Sequence, residues 1–249
     1  MHMRTKKWAR PELAVCPYYK DAPVELKNHW KSAFPKDQPL HVELGCGKGV
    51  STALMVRDNP DVNYVVIDIT CDILGDARRN MQAAFGDEIP TNVWIVRYDI
   101  EYIDKLFGPD DQVERIYINF CNPWTKRPKY AKRRLTHPRQ LLQYRSFMKA
   151  DGEIWFKTDN DGLFEDSLAY FKVSGFDPFY LTRDLHATDF SPNYLTEHEK
   201  MYSEQGVPIK MVLLKMGEIP APIDPVRWRL PSARDEEAED ENPEEPENA

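Results

Sequence analysis

The sequence predicts an α/β protein: a doubly wound, mostly parallel sheet with helices on both faces. Three observations carry that reading. Short apolar runs alternate with helix-like segments from His41 to about Gly152. The first of these runs opens into the glycine-rich turn GCGKG. Acidic residues stand near the ends of the next two runs, where such a sheet gathers its ligands.

Taken in order, HVEL is a buried-strand candidate that ends at the glycine turn. VVIDI (65–69) is the second strand, and CDILGDARRNMQAAF is a helix behind it. VWIVRYDI (93–100) and VERIYINF (113–120) are the third and fourth strands. PRQLLQYRSFMKA (138–150) reads as a helix, with Leu141, Leu142, Tyr144 and Met148 near one face. GEIWFKTDN (152–160) is the fifth strand. The following DGLFEDSLAYFKVSG places Phe164, Leu168 and Phe171 at i, i+4 and i+7, a helical spacing. FDPFYLT and PIKMVLLKM close a sheet of seven strands, separated by the helix-like LTEHEKMYSEQG.

With 249 residues, 41% of them hydrophobic, the chain can bury one sizeable core. We divide it into a basic extension (1–38), a central domain (39–217), and a linker with an acidic tail (218–249). The tail, DEEAEDENPEEPENA from Asp235, has too little apolar surface to offset its ordering entropy and is expected to be disordered. The net charge of -8 comes from it. Without residues 234–249, which hold nine acids and Arg234, the chain has 32 basic and 32 acidic residues. No run approaches the about 18 apolar residues a membrane helix needs. The opening MHMRTKKWARPELAV has no apolar core, so a secretory leader is not expected. Cys16, Cys46, Cys71 and Cys121 are scattered without metal-ligand spacing, which suggests reduced cytoplasmic thiols and no zinc site.

In ELGCGKG, Gly45, Gly47 and Gly49 let the backbone turn tightly before a helix N-terminus and approach a ligand closely. The dinucleotide fingerprint Gly-x-Gly-x-x-Gly fails, because its third glycine would fall on Val50. Glu43 ends the first strand, while Asp68 and Asp99 lie near the ends of the second and third. This Glu-x-Gly-x-Gly-x-Gly form with two further acids resembles class I S-adenosylmethionine-dependent methyltransferases. The resemblance implies a Rossmann-like fold and that cofactor, with Glu43 beneath the methionine moiety, Asp68 on the ribose and Asp99 by the adenine.

Seven lysines and arginines crowd into residues 126–139, directly after the fourth strand and NFCNPW (119–124). Phosphate contacts from such residues supply affinity and orientation on a nucleic acid without reading its sequence. Trp124 and Tyr130, interleaved with the charges, are candidates to stack on a base. NPWTKRPKYAKRRLT resembles the signature of bacterial tRNA (guanine-N7)-methyltransferases. So, in order along residues 3–216, do RTKKWA, VELGCGKG, GEIWFKTDNDGLFEDSL, LHATDF and the Thr-Glu-x-Glu of LTEHE.

That resemblance implies methyl transfer to N7 of a tRNA guanine, at variable-loop position 46. It implies substrate contacts from Lys126, Asp159, Thr196, Glu197, His198 and Glu199, and RNA contacts from Arg127, Lys129, Lys132, Arg133 and Arg134. Arg139 follows in the same strip. The family usually has Asp before Pro-Trp; this sequence has Asn122, facing both cofactor and acceptor. Asn122 and Asp159 are the catalytic candidates, with Asp159 or Glu199 able to supply the missing charge. His198 reads as a solvated or hydrogen-bonded helix residue. Two alternatives stay open: methylation of an exocyclic amine, suggested by Asn-Pro-Trp, and an RNA-binding homologue without catalysis. Monomer and homodimer are both open.

Overall fold

A computed structural model describes residues 5–225, Trp228 and Leu230, apart from the side chain of Pro128. The acidic tail lies outside the described residues.

Among the described residues, eight strands form one sheet rather than seven. They are β1 (Tyr19–Asp21), β2 (Leu40–Leu44), β3 (Asn63–Asp68), β4 (Val93–Arg97), β5 (Val113–Asn119), β6 (Met148–Thr158), β7 (Phe176–Thr182) and β8 (Lys210–Met216). Their order is β1-β4-β3-β2-β5-β6-β8-β7. All neighbours are parallel except β8, which runs antiparallel to both β6 and β7. The central strands are buried almost throughout because both faces are covered, as in a parallel sheet.

Alternation sorts their side chains. Val65 and Ile67 join one core with Leu141 and Tyr144 of α4 (Pro138–Arg145) and Phe164 and Phe171 of α5 (Asp161–Val173). Tyr64 and Val66 join the other. There they meet Leu13 of α1 (Ala9–Ala14), Val56 of α2 (Val50–Asp58), and Leu74 and Met81 of α3 (Cys71–Phe85). The last helix, α6 (Glu197–Glu204), lies beyond β7 in the chain.

The additional strand comes from the basic extension. Tyr19, Lys20 and Asp21 pair with Ile95, Val96 and Arg97, and an Arg97–Asp21 ion pair of 2.8 Å reinforces the edge. Other described residues of the extension are also built in. Trp30 is fully buried, donates from its indole to Leu106 O at 2.9 Å, and stacks on Phe107. Helix α1 packs on α3 at Gly75, where a Cβ would stand 2.6 Å from that of Ala9. Arg79 lies 3.4 Å over the Trp8 ring, and Lys6 pairs with Asp76.

The second difference concerns α4. The periodicity predicts a helix to residue 150, but α4 stops at Arg145 and β6 begins at Met148. Phe147 is fully buried against Phe107 and Tyr144, and its carbonyl accepts from Val113 N at 3.0 Å. Capture by the sheet overrides the helical spacing of this apolar segment.

His41, only 7% exposed on β2, lies edge-on to Tyr64 and 3.3 Å from the Tyr117 hydroxyl. Burial, aided by the Arg115 charge, lowers its pKa from 6.5 to about 3. Only the unfolded chain then takes up that proton between these values, so the folded state loses stability as pH falls, by about 1.4 kcal/mol per unit for this group. His41→Gln should remove that slope, read as the urea midpoint against pH. Parallel curves for parent and variant would refute the assignment.

Candidate functional site

The glycine turn follows β2. Gly45, Gly47 and Gly49 all adopt positive φ, at 77°, 55° and 64°. Gly45 N and Cys46 N both donate to Ile67 O of β3, at 2.9 and 3.0 Å, which folds the turn onto the neighbouring strand. A Cβ at Gly45 or Gly47 would meet no protein atom within 4 Å, whereas one at Gly49 would press on Ala77. The first two therefore leave backbone open to a ligand, and the third lets α2 and α3 approach closely.

Three predicted acids surround this turn. Glu43, 2% exposed, accepts from Thr52 Oγ1 at 2.5 Å and from Asn119 Nδ2 at 3.1 Å. Burial raises its pKa, opposed by these bonds. Asp68 accepts from Thr70 N at 2.9 Å, and burial likewise pushes its pKa up against bonds from backbone N–H groups. Asp99 stands beyond the end of β4 and caps a short 3-10 helix by accepting from Glu101 N at 3.0 Å.

A cleft of about 570 Å³ brings Gly45, Asp68, Asp99 and Asn122 together, with Lys132 and Arg133 at its border. A second of about 600 Å³ is lined by Glu43, the three glycines, Thr196, Glu197 and His198. Gly45 and Phe120 line both clefts, so the two meet at the end of β5.

The loop after β5 is strained. Phe120 and Trp124 have φ of 51° and 50°, unusual for bulky side chains. Asn122 lies between them and its Oδ1 accepts from Trp124 N at 3.0 Å, an Asx turn that fixes the amide. Trp124 and Tyr130 meet edge to face, and the Arg133 guanidinium lies 5.2 and 5.5 Å from their ring centroids. Lys126, Arg127, Lys129, Lys132 and Arg133 are exposed, and none forms an ion pair among the described residues.

Arg134, expected with its neighbours to contact RNA, stands apart from them in the structure. It is 7% exposed, pairs with Asp166, and donates to Pro123 O at 2.8 Å and to the Tyr170 hydroxyl at 3.2 Å. It braces the loop that its neighbours decorate. Arg139, half-buried, pairs with Glu101 at 2.9 Å.

Glu199 is placed differently from the other residues of its motif. It is 0% exposed and lines neither large cleft. Lys157 Nζ donates to it at 2.6 Å, Asn193 Nδ2 at 2.6 Å, and His186 Nε2 lies 3.3 Å away. Both of its oxygens are engaged by side chains of the chain itself.

Thr196 caps α6, accepting from Glu199 N at 3.0 Å; Glu197 pairs with Lys48 of the glycine turn at 3.1 Å. His198 stacks on Phe120 at 6.2 Å and so belongs to the cleft wall. Asp159 follows β6 and lines neither large cleft. Burial pushes the Cys121 thiol up to about 12, and the Asp159 charge adds a little to this.

Lys48, Asn119 and Lys157 are site residues the sequence reading missed. Lys157 carried a usable signal, since a charge inside the apolar run IWFKT must be paired if the strand is buried.

A family model described as "Putative methyltransferase" matches residues 37–212. The tRNA (guanine-N(7)-)-methyltransferase of Clostridium beijerinckii is 50% identical over 215 residues, covering 86% of this chain and 98% of that protein. The enzyme of that name from Desulfitobacterium hafniense is 42% identical, covering 88% and 100%. The chain belongs to the tRNA (guanine-N7)-methyltransferase family.

Solved structures of other methyltransferases share the family's fold. The 16S rRNA methyltransferase KamB aligns with TM-score 0.57 at 10% identity, over 76% of this chain and 93% of that one. A variant of the 16S rRNA (adenine(1408)-N(1))-methyltransferase of Catenulisporales acidiphilia, with cosubstrate SAM, aligns with TM-score 0.52 at 12% identity, over 78% and 92%. Among the described residues no acid, His or Cys cluster is arranged to hold a metal, and no helix is long and apolar enough to cross a membrane.

Because Arg134 braces the loop, Arg134→Met should lower stability by about 2 kcal/mol, less than a fully buried pair because Asp166 is partly solvated. An unchanged thermal midpoint would refute the bracing role.

Proposed function

We propose that this protein transfers the methyl group of S-adenosylmethionine to N7 of a guanine in tRNA, the variable-loop guanine at position 46. The observation that carries the reading is the convergence of two kinds of residue on one cleft. Gly45, Asp68 and Asp99 suit a nucleoside-bearing cofactor, and Asn122, Trp124, Lys132 and Arg133 suit a polyanionic acceptor.

The residues present fit the cofactor. Asp68 offers carboxylate oxygens for ribose hydroxyls, and Ile69 and Ile100 offer apolar surface for an adenine. Gly45 and Gly47 leave the open space a methionine moiety needs. When bound, S-adenosylmethionine supplies an electrophilic methyl group on its sulfonium.

Guanine N7 has a lone pair at neutral pH, so no residue has to remove a proton before attack. The chain's contribution is then mainly alignment of acceptor and donor. The Oδ1 of Asn122 is engaged by its own turn, which leaves Nδ2 as a donor. Guanine O6, beside N7, is an acceptor of that kind. The amide therefore orients the base, and Asp159, which follows β6 as Asn122 follows β5, is the acid assigned to favour the alkylated purine. Lys126, Arg127, Lys129, Lys132 and Arg133 hold phosphates, and Trp124 with Tyr130 gives a stacking surface. Thr196, Glu197 and His198 close the opposite wall.

Incubation with unmodified tRNA and labelled S-adenosylmethionine should yield 7-methylguanosine on nucleoside analysis. A methylated exocyclic amine, or no label in RNA, would overturn the reading. Asn122→Ala should lower kcat about 100-fold, the scale of a misplaced reactant, and weaken cofactor binding far less than that. Lys132→Ala or Arg133→Ala should weaken tRNA binding and make the plot of log K against log salt shallower by about one unit per lost phosphate contact. Slopes identical to the parent's would exclude these two residues from the RNA interface.

A further inference from the structure

Helix α6 is docked in an unusual way. Eight residues long, it buries one side chain, and that side chain is the carboxylate of Glu199. Its apolar Met201 is 43% exposed, and Leu195 just before it is 47% exposed. A helix held by apolar packing shows the reverse pattern. Yet this helix and its cap supply Thr196, Glu197 and His198 to the cleft wall.

The partner of Glu199 is Lys157, 5% exposed on β6, in register with Asn119 of β5 and Met211 of β8. Its ammonium contacts Glu199 Oε2 at 2.6 Å, Asn193 Oδ1 at 2.9 Å and Tyr194 O at 3.4 Å. Three ammonium protons thus face three acceptors within one seven-residue stretch. Asn193 in turn donates to Glu199, and His186 approaches the same carboxylate. Lys157 also shares a small cavity with Glu43, Asn119, Asn193 and Tyr194. Lys157 therefore stands between the acid under the glycine turn and the segment that closes the acceptor side.

We infer that Lys157 is a positioning residue: through Glu199 and Asn193 it holds the 193–199 segment, and with it Thr196, Glu197 and His198, against the glycine turn. The inference rests on the methyl-transfer reading for its catalytic consequence but not for its structural one. Glu199 serves the acceptor wall from behind and does not touch the guanine. Removing Lys157 alone leaves a buried carboxylate without its cation, which expels the segment or protonates the acid. Removing both charges leaves a neutral pair of similar bulk, which keeps the segment near its place.

The test compares Lys157→Met, Glu199→Gln and the double variant in the full chain. For each, amide exchange over residues 193–204, the affinity for S-adenosylmethionine, and kcat and KM with tRNA are measured. Lys157→Met should speed exchange in that segment at least about tenfold relative to the rest of the sheet. It should also lower kcat/KM for tRNA about 100-fold, with cofactor affinity within about threefold of the parent's.

The double variant should recover at least about tenfold of that loss, so that the two single effects are strongly non-additive. Parental exchange and parental kcat/KM in Lys157→Met would overturn the inference. So would strictly additive losses, because Glu199 would then act independently of Lys157. If Lys157→Met does not fold, the double variant decides: turnover within about tenfold of the parent supports positioning, and loss as deep as in Glu199→Gln alone refutes it. A parent that leaves tRNA unmethylated would fail the functional reading instead, and the exchange data would still judge the role of Lys157.

Discussion

Parallel pairing of β2 with both β3 and β5 is the constraint on which the site depends. From β2 the chain proceeds to β3 and β4 on one side, and to β5 and β6 on the other. The connections after β2 and β5 therefore diverge and leave a crevice at the strand ends. Each functional loop is then stitched to the strand beside it. Gly45 and Cys46 donate to the last turnward carbonyl of β3, and Phe120 donates to Lys157 O of β6 at 2.9 Å. The amide of Asn119 bridges the two halves by donating to Glu43. A shift of β5 along β2 would separate the cofactor acid from the acceptor loop at once.

The charges are sorted by depth. Glu43 and Asp68 are desolvated and hold their places through short bonds from Thr52, Asn119 and backbone N–H groups. The cations proposed to meet a polyanion stay in water and form no ion pair among the described residues. Arg134 is the exception that makes the others effective. It anchors Pro123 O and Asp166 beneath the loop, so the guanidinium of Arg133 and the ring of Trp124 project from a fixed base.

Much of this was legible in the sequence because it was written locally. α3 and β7 fall on CDILGDARRNMQAAF and FDPFYLT, where period and punctuation agree. The glycine turn and its acids were legible because left-handed backbone and strand-end carboxylates leave distinctive residue types. What was not legible depends on partners distant in the chain. Three residues, Tyr19–Asp21, have no period to read, and only the open edge of β4 makes them a strand. Arg133 and Arg134 are adjacent and alike; Asp166 and Tyr170, more than thirty residues on, decide which is buried. Glu199 reads as a surface helix acid until Lys157 is known to lie under it.

The way α6 is held suits what an acceptor wall has to do. Apolar docking is strong but tolerant of sliding, since its energy depends on area more than on direction. A buried ion pair with each oxygen and proton assigned is weak in net stability, because desolvation offsets most of the attraction, but it accepts few geometries. The 193–199 segment is thus placed accurately over the glycine turn without the adhesion that would keep it closed. Leu195 and Met201 are accordingly left exposed, at 47% and 43%.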